Sequence, residues 1–236
     1  MTIRTITSSA CFPTEILEHI ILEAWSSPLS ADERISLMVS SLLVSKSWSV
    51  AFIRVSSRDV FIPCASYADQ FFRTLREESP IYDEHTRFLP DYLCRSITFQ
   101  VHNVPRDATE HHGVRLFSDG SREGQALASS LYNIRWLGYL PNLRRVSIEY
   151  VNWGFDDIFD QYRLIAFPEQ VTELELKYTF TPGVPRPFVD NLRSEYERRD
   201  CLSWRMPSIR RLVTVGAPDA MVQDVLSICP NVKMSI

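Results

Sequence analysis

The chain has little of what announces an enzyme, a secreted scaffold or a membrane protein. Its five cysteines, at positions 11, 64, 94, 201 and 229, are scattered, odd in number and never in a Cys-x-x-Cys pair. That distribution argues against a disulfide framework and against a zinc knuckle, and predicts reduced, mostly buried thiols. No apolar run approaches a membrane span, and Met1 to Ala10 alternates Thr, Ile, Arg and Ser where a secretory signal would be apolar. The expectation is a soluble chain of the cytoplasm or nucleus with no membrane partner.

Positive charge is also in short supply. Lys and Arg number 25 against 29 Asp and Glu, a net charge of −4, and the mild acidity identifies no partner class by itself. A helix-turn-helix DNA binder would need a basic recognition helix, yet from Arg34 to Arg58 the only bases are Arg34, Lys46, Arg54 and Arg58. Nucleic acid is therefore not expected as a partner.

Motifs for chemistry are missing too. Gly120-Ser121-Arg122-Glu123-Gly124 follows no predicted strand and lacks the Lys-Ser/Thr of a phosphate-binding loop, and there is no Gly-x-Ser-x-Gly elbow. His102, His111 and His112, with Asp107 and Glu110, lie in a polar stretch, but adjacent histidines point in different directions and no further ligand stands at metal spacing. The pairs Asp83-Glu84 and Asp156-Asp157 read as solvated turns. No catalytic residue, no metal set and no cofactor is assigned.

What is present begins at Phe12. Pro13 suits the first position of a helix, because its missing N–H needs no partner there, and Glu15 falls in the first turn, where the helix dipole favours a carboxylate. Phe12 stands where a small polar cap would contribute roughly 1 kcal/mol, so an apolar group serves another purpose there. Ile16, Leu17, Ile20, Ile21, Ala24 and Trp25 form a stripe wide enough for two surfaces, one folded inward and one free for a partner. Ser30 and Glu33 make a Ser-x-x-Glu capping box ahead of Ile35, Met38, Val39, Leu42 and Leu43, so a second helix is predicted to begin near Ala31. Trp48, Phe52 and Val55 suggest a short third one.

Three short helices with a Phe-Pro-x-Glu-Ile-Leu-x-x-Ile-Ile opening and a Val-x-Lys-x-Trp close resemble the F-box, the module that binds the Skp-family adaptor of SCF-type cullin–RING ubiquitin ligases. The resemblance covers about residues 11–54. It implies that Phe12 takes the place of the family's leading Leu, that Pro13 and Glu15 match its Pro and Glu, that Ile16, Leu17, Ile20 and Ile21 match its apolar helix positions, and that Val44, Lys46 and Trp48 match its second half. The span from Ala24 to Ser41 is longer than usual and holds its own loop, Ser26-Ser27-Pro28-Leu29-Ser30. Apolar stripes at helical spacing are ordinarily core; the two signatures, in order and near the N-terminus, favour docking.

After Val55 the pattern becomes short strands alternating with helices, and a unit recurs: an apolar residue, a Pro, then a spaced apolar run. Its copies start at Leu140-Pro141-Asn142-Leu143, Met206-Pro207-Ser208-Ile209 and Cys229-Pro230-Asn231-Val232, with looser ones at Leu89-Pro90 and Phe167-Pro168. Pro ends the preceding element, and alternation then presents one side of a strand to a shared core. Strands are predicted near Ile97–Val101, Val146–Tyr150, Val171–Lys177, Arg211–Val215 and Val232–Ile236, in one mainly parallel sheet with helices on one side. Helices are predicted over Gln125–Leu140, Asp190–Arg199 and Asp219–Ile228. This half looks like a short, degenerate leucine-rich-repeat-type solenoid, with a generic α/β layer as the alternative.

The organisation expected is therefore α/β: a disordered N-terminus over 1–10, a three-helix F-box-like domain over 11–55, and a leucine-rich-repeat-like domain of short parallel strands and helices over 56–236, with a mobile polar insertion at about 102–124. Trp153, Phe155, Phe159 and Tyr162 form an aromatic cluster on a long connection, either a substrate-recognition surface or a lid over the core. The resemblance implies a non-enzymatic adaptor that docks on a Skp-family subunit, and through it on a cullin–RING ligase, while the repeat region holds a protein substrate. A scaffold acting outside a ligase, or a small α/β enzyme, is the alternative.

Overall fold

A computed structural model of the chain describes residues 12–76, 78, 86–102, 122–151, 167–179, 205–217 and 219–233. These form seven helices and five strands in two compact units, Met1–Ser56 and Ser57–Ile236.

The first unit holds α1 (Thr14–Ser26), α2 (Ala31–Val44) and most of α3 (Lys46–Arg58). α1 begins one residue later than the Pro-first reading. Pro13 is the N-cap with extended ψ, and its carbonyl accepts the N–H groups of Ile16 and Leu17 at 3.0 and 3.2 Å. α2 begins at Ala31 as expected, because Ser30 and Glu33 close the capping box. The Ser30 N–H donates to Glu33 Oε2 at 2.9 Å and the Glu33 N–H to Ser30 Oγ at 3.4 Å. Ser45 separates α2 from α3 as a single extended residue whose hydroxyl accepts from the Trp48 N–H at 3.2 Å.

α1 has no basic residue in its last turn, and Arg34 of α2 supplies what is missing. Its guanidinium donates to the carbonyls of Trp25 and Ser27 at 2.7 and 3.3 Å and lies 4.8 Å from the Trp25 ring centroid. The orphan carbonyls at the end of α1 are thereby satisfied by a cation that also stacks. Trp25 meets Phe52 edge to face at 5.6 Å, and Arg54 pairs with Glu18 at 3.4 Å, so both apolar and polar contacts tie α3 to α1.

The second unit is a five-stranded, wholly parallel sheet in chain order: β1 (Asp59–Ile62), β2 (Ser96–His102), β3 (Arg145–Val151), β4 (Glu173–Thr179) and β5 (Arg211–Val215). The predicted mixed α/β class and parallel sheet are therefore observed. β1 was not anticipated. The strand expected at Val171–Lys177 starts two residues later, because the Val171 N–H is used in a turn on Pro168. Of the strand expected at Val232–Ile236, Val232 and Lys233 are not in strand conformation and residues 234–236 lie outside the described set.

Registers are unstaggered. Asp59, Ser96, Arg145, Glu173 and Arg211 lie side by side across the sheet. Just before the strands a backbone ladder sets this alignment, and it continues one rung further at Lys233: the N–H groups of Arg95, Arg144, Thr172, Arg210 and Lys233 donate in turn to the carbonyls of Arg58, Arg95, Arg144, Thr172 and Arg210, at 2.8 to 3.1 Å.

One face of the sheet carries Val60, Ile97, Val146, Leu174 and Leu212, then Ile62, Phe99, Ile148 and Leu176, then Val101, Tyr150 and Tyr178, all buried. They share a core with Phe71 and Phe72 of α4 (Ala65–Leu75), Leu131 and Ile134 of α6 (Arg122–Leu137) and Val225 of α7 (Asp219–Ile228). Each such side chain contributes about 1.5–3 kcal/mol on burial. The opposite face is polar, with Glu149, Glu175 and Lys177 joined by ion pairs of 3.3 Å; Phe61, Ser96 and Ser147 on it are buried.

The short α5 (Leu89–Leu93) is what the looser Leu89-Pro90 unit becomes: Pro90 sits in its first turn, and Asp91 accepts the Leu140 N–H at 2.6 Å. The polar insertion is narrower than expected. His102 ends β2 and Arg122 opens α6, while residues 103–121 lie outside the described set. So does the helix expected at Asp190–Arg199.

Candidate docking surface

α1 divides its apolar residues between two sides. Ile21 and Trp25 are buried, with Ile21 only 2% exposed, and Leu17 and Leu22 are half-buried. One residue round the helix, Ile16 and Ile20 stand out, each 47% exposed, and Phe12 just before the helix is 67% exposed. The three are spaced by four, so they lie on one side of the helix entry and its first two turns. Pro13 and Glu15, beside them, are exposed as well.

α2 does the same. Ile35, Val39 and Leu43 recur at intervals of four and are all exposed, Leu43 at 79%, and Val44 beyond Leu43 is exposed too. This second stripe was legible only as a set of apolar helix positions, since sequence spacing does not say which side of a helix is covered. A small helical unit ordinarily buries such residues at about 25 cal/mol per Å²; exposing two stripes forgoes that gain, which makes this side of the unit the candidate docking surface.

Of the residues expected to serve the adaptor, Phe12, Pro13, Glu15, Ile16, Ile20, Val44 and Lys46 lie at the surface, and Leu17 and Trp48 are half-buried. Ile21 is core, so its contribution to any docking is to hold α1 in place. The Trp48 Nε1 is buried and has no hydrogen-bond partner among the described residues. The hydrogen bonds from the Ser30 backbone and hydroxyl hold the Glu33 carboxyl below the usual carboxylate range, as an anion in the first turn of α2 should be.

The other expected sites stand differently. Trp153, Phe155, Phe159 and Tyr162 lie outside the described residues. An aromatic pair that sequence reading passed over is Tyr132 and Trp136 on α6, stacked at 6.2 Å and exposed; its signal was the spacing of four. Among the described residues no group of three His, Cys, Asp or Glu could hold a metal ion, and no helix is long and apolar enough to cross a membrane. Cys94 and Cys229 are buried free thiols. Burial, with the carboxylates of Asp59 and Asp91 adding to it, raises the Cys94 thiol, and burial pushes Cys229 up to about 12.

No protein-family model, curated protein or solved structure matches the chain.

Proposed function

We propose that this chain is a non-enzymatic adaptor of F-box type. Its N-terminal helices seat on a Skp-family subunit of a cullin–RING ubiquitin ligase, and its sheet unit holds a protein substrate for ubiquitin transfer by other subunits. The observation that carries the reading is the outward stripe Phe12, Ile16 and Ile20, set against the inward Ile21 and Trp25 on the same helix. Together with the Phe-Pro-x-Glu opening and the Val-x-Lys-x-Trp close, it supports a preformed apolar surface of the kind that anchors interfaces. The exposed stripe on α2 and Val44 supports the same use.

The test is co-expression with a Skp-family adaptor and affinity purification. The intact chain co-purifies, and a variant with Phe12→Ala and Ile20→Ala does not, while its far-ultraviolet circular dichroism is unchanged. Retention of the adaptor by the folded double variant overturns the assignment.

A further inference from the structure

The ladder that aligns the strands carries a second pattern, in its side chains. Its six successive rungs are Arg58, Arg95, Arg144, Thr172, Arg210 and Lys233, so five of six are basic in a chain whose net charge is −4. Adjacent rungs of a sheet are about 4.8 Å apart. The row therefore runs for ~24 Å along the edge where the strands begin, and Arg95, Arg144, Arg210 and Lys233 are exposed.

The neighbouring row shows what an ordinary structural arrangement of charge looks like here. It reads Asp59, Ser96, Arg145, Glu173 and Arg211, and it neutralises itself. Ser96 Oγ donates to Asp59, Arg145 reaches Ser96 at 3.5 Å and Arg211 pairs with Glu173 at 3.4 Å. In the basic row Arg144 donates to the carbonyls of Pro141, Leu143 and Gln170, which gives that one residue a structural task. Arg95, Arg210 and Lys233 make no side-chain hydrogen bond or ion pair with any described residue. Like charges on adjacent rungs repel, so the exposed neighbours Arg95 and Arg144, and Arg210 and Lys233, carry an electrostatic cost that an anion laid along the row relieves.

We infer that this row binds an acidic, extended segment of a protein partner. Carboxylates pair with guanidinium groups through charge-assisted, often bidentate bonds, and ~24 Å corresponds to about seven residues of extended chain. A long nucleic acid is the poorer match, because the overall negative charge repels a polyanion beyond the row itself. The inference does not depend on the adaptor reading, since every residue involved belongs to the sheet unit.

Fluorescence anisotropy of the full chain with a labelled peptide of alternating Glu and Ser tests it. Binding is expected at low salt and should weaken steeply as salt rises. Arg95→Glu, Arg210→Glu and Lys233→Glu together should weaken it at least ~tenfold, whereas Arg95→Lys with Arg210→Lys should stay within about threefold of the parent. If the triple reversal disturbs the circular dichroism, Arg95→Glu and Arg210→Glu singly take its place, each expected to weaken binding about threefold. No binding by the parent chain, or equal binding by the folded reversals, overturns the inference. So does tighter binding of a single-stranded oligonucleotide through the same residues, which would assign the row to nucleic acid.

Discussion

Ile20 and Ile148 are the same residue in opposite settings. The first stands half out of α1, while the second is wholly enclosed on β3 between Phe99 and Leu176 of the flanking strands. Their units differ in the same way. The sheet unit gathers the apolar residues of one sheet face and three helices into one core, whereas the helical unit buries Ile21 and Trp25 of α1 with Ala51, Phe52, Ile53 and Val55 of α3 and leaves two stripes, on α1 and α2, exposed. A sheet face is a continuous surface that one layer of helices covers completely; three short helices have more apolar circumference than they can cover among themselves. The difference teaches where to look for affinity and where to look for stability.

The largest effect that tests this contrast is Ile148→Ala. It should cost about 3–4 kcal/mol in denaturant unfolding, the transfer loss plus the cavity left in a close-packed core. A cost under 1 kcal/mol would show that the sheet core is loosely packed. Gly216→Ala comes next. Gly216 follows β5 with φ near +68°, and a Cβ there would meet the Tyr178 backbone oxygen. The variant should lose about 2–3 kcal/mol from the sheet unit through the left-handed backbone and the clash together. Gly138→Ala is the control for backbone strain alone, because its φ is +70° but nothing lies within 4 Å of its Cβ position; about 1 kcal/mol is expected.

In the helical unit Ser30→Ala should cost about 1 kcal/mol by removing the cap of α2. The companion Glu33 has a pH signature of definite sign. Its carboxyl is lowered from 4.5, so the stability it adds is present above that value and fades as pH falls through the folded value. Unfolding curves of the parent and Glu33→Gln should therefore converge in acid; a gap that persists unchanged there contradicts the capping role. The smallest effect should come from Ile20→Ala, within about 0.5 kcal/mol of the parent. A loss of several kcal/mol would mean that this side of α1 is core and not a surface.

The elements that were legible in the sequence had chemical punctuation. The capping box placed the start of α2, the Met206-Pro207 turn placed β5 at Arg211–Val215, and the spacing of Val222, Val225, Leu226 and Cys229 placed α7 at Asp219–Ile228, with Cys229 just past its end. β1 went unseen because it follows α3 at once, with no Pro turn to announce it, and its run Val60-Phe61-Ile62 is too short to show a period. α4 went unseen for a related reason: its N-cap is Cys64, which makes no capping bond. As for the docking surface, Phe12 stood out as an apolar residue at the expected cap position; the cap is in fact Pro13, and Phe12 precedes it, exposed. The stripe on α2 did not stand out, since only packing decides which apolar side of a helix stays uncovered.

The absence of stagger in the sheet has a consequence for how such a chain can change. β3, β4 and β5 each take their position from two backbone N–H groups that meet the carbonyl of the rung before, as Arg144 and Arg145 meet Arg95, Thr172 and Glu173 meet Arg144, and Arg210 and Arg211 meet Thr172. Alignment is thus set at the point of entry and owes nothing to the length of the segment that crosses from one strand to the next. Closing a longer crossover costs only about 0.6 kcal/mol per doubling. The crossovers are accordingly the places where new sequence can be acquired, lost or grafted while the strands stay in line, so the length of the chain can change without renegotiating how the sheet folds.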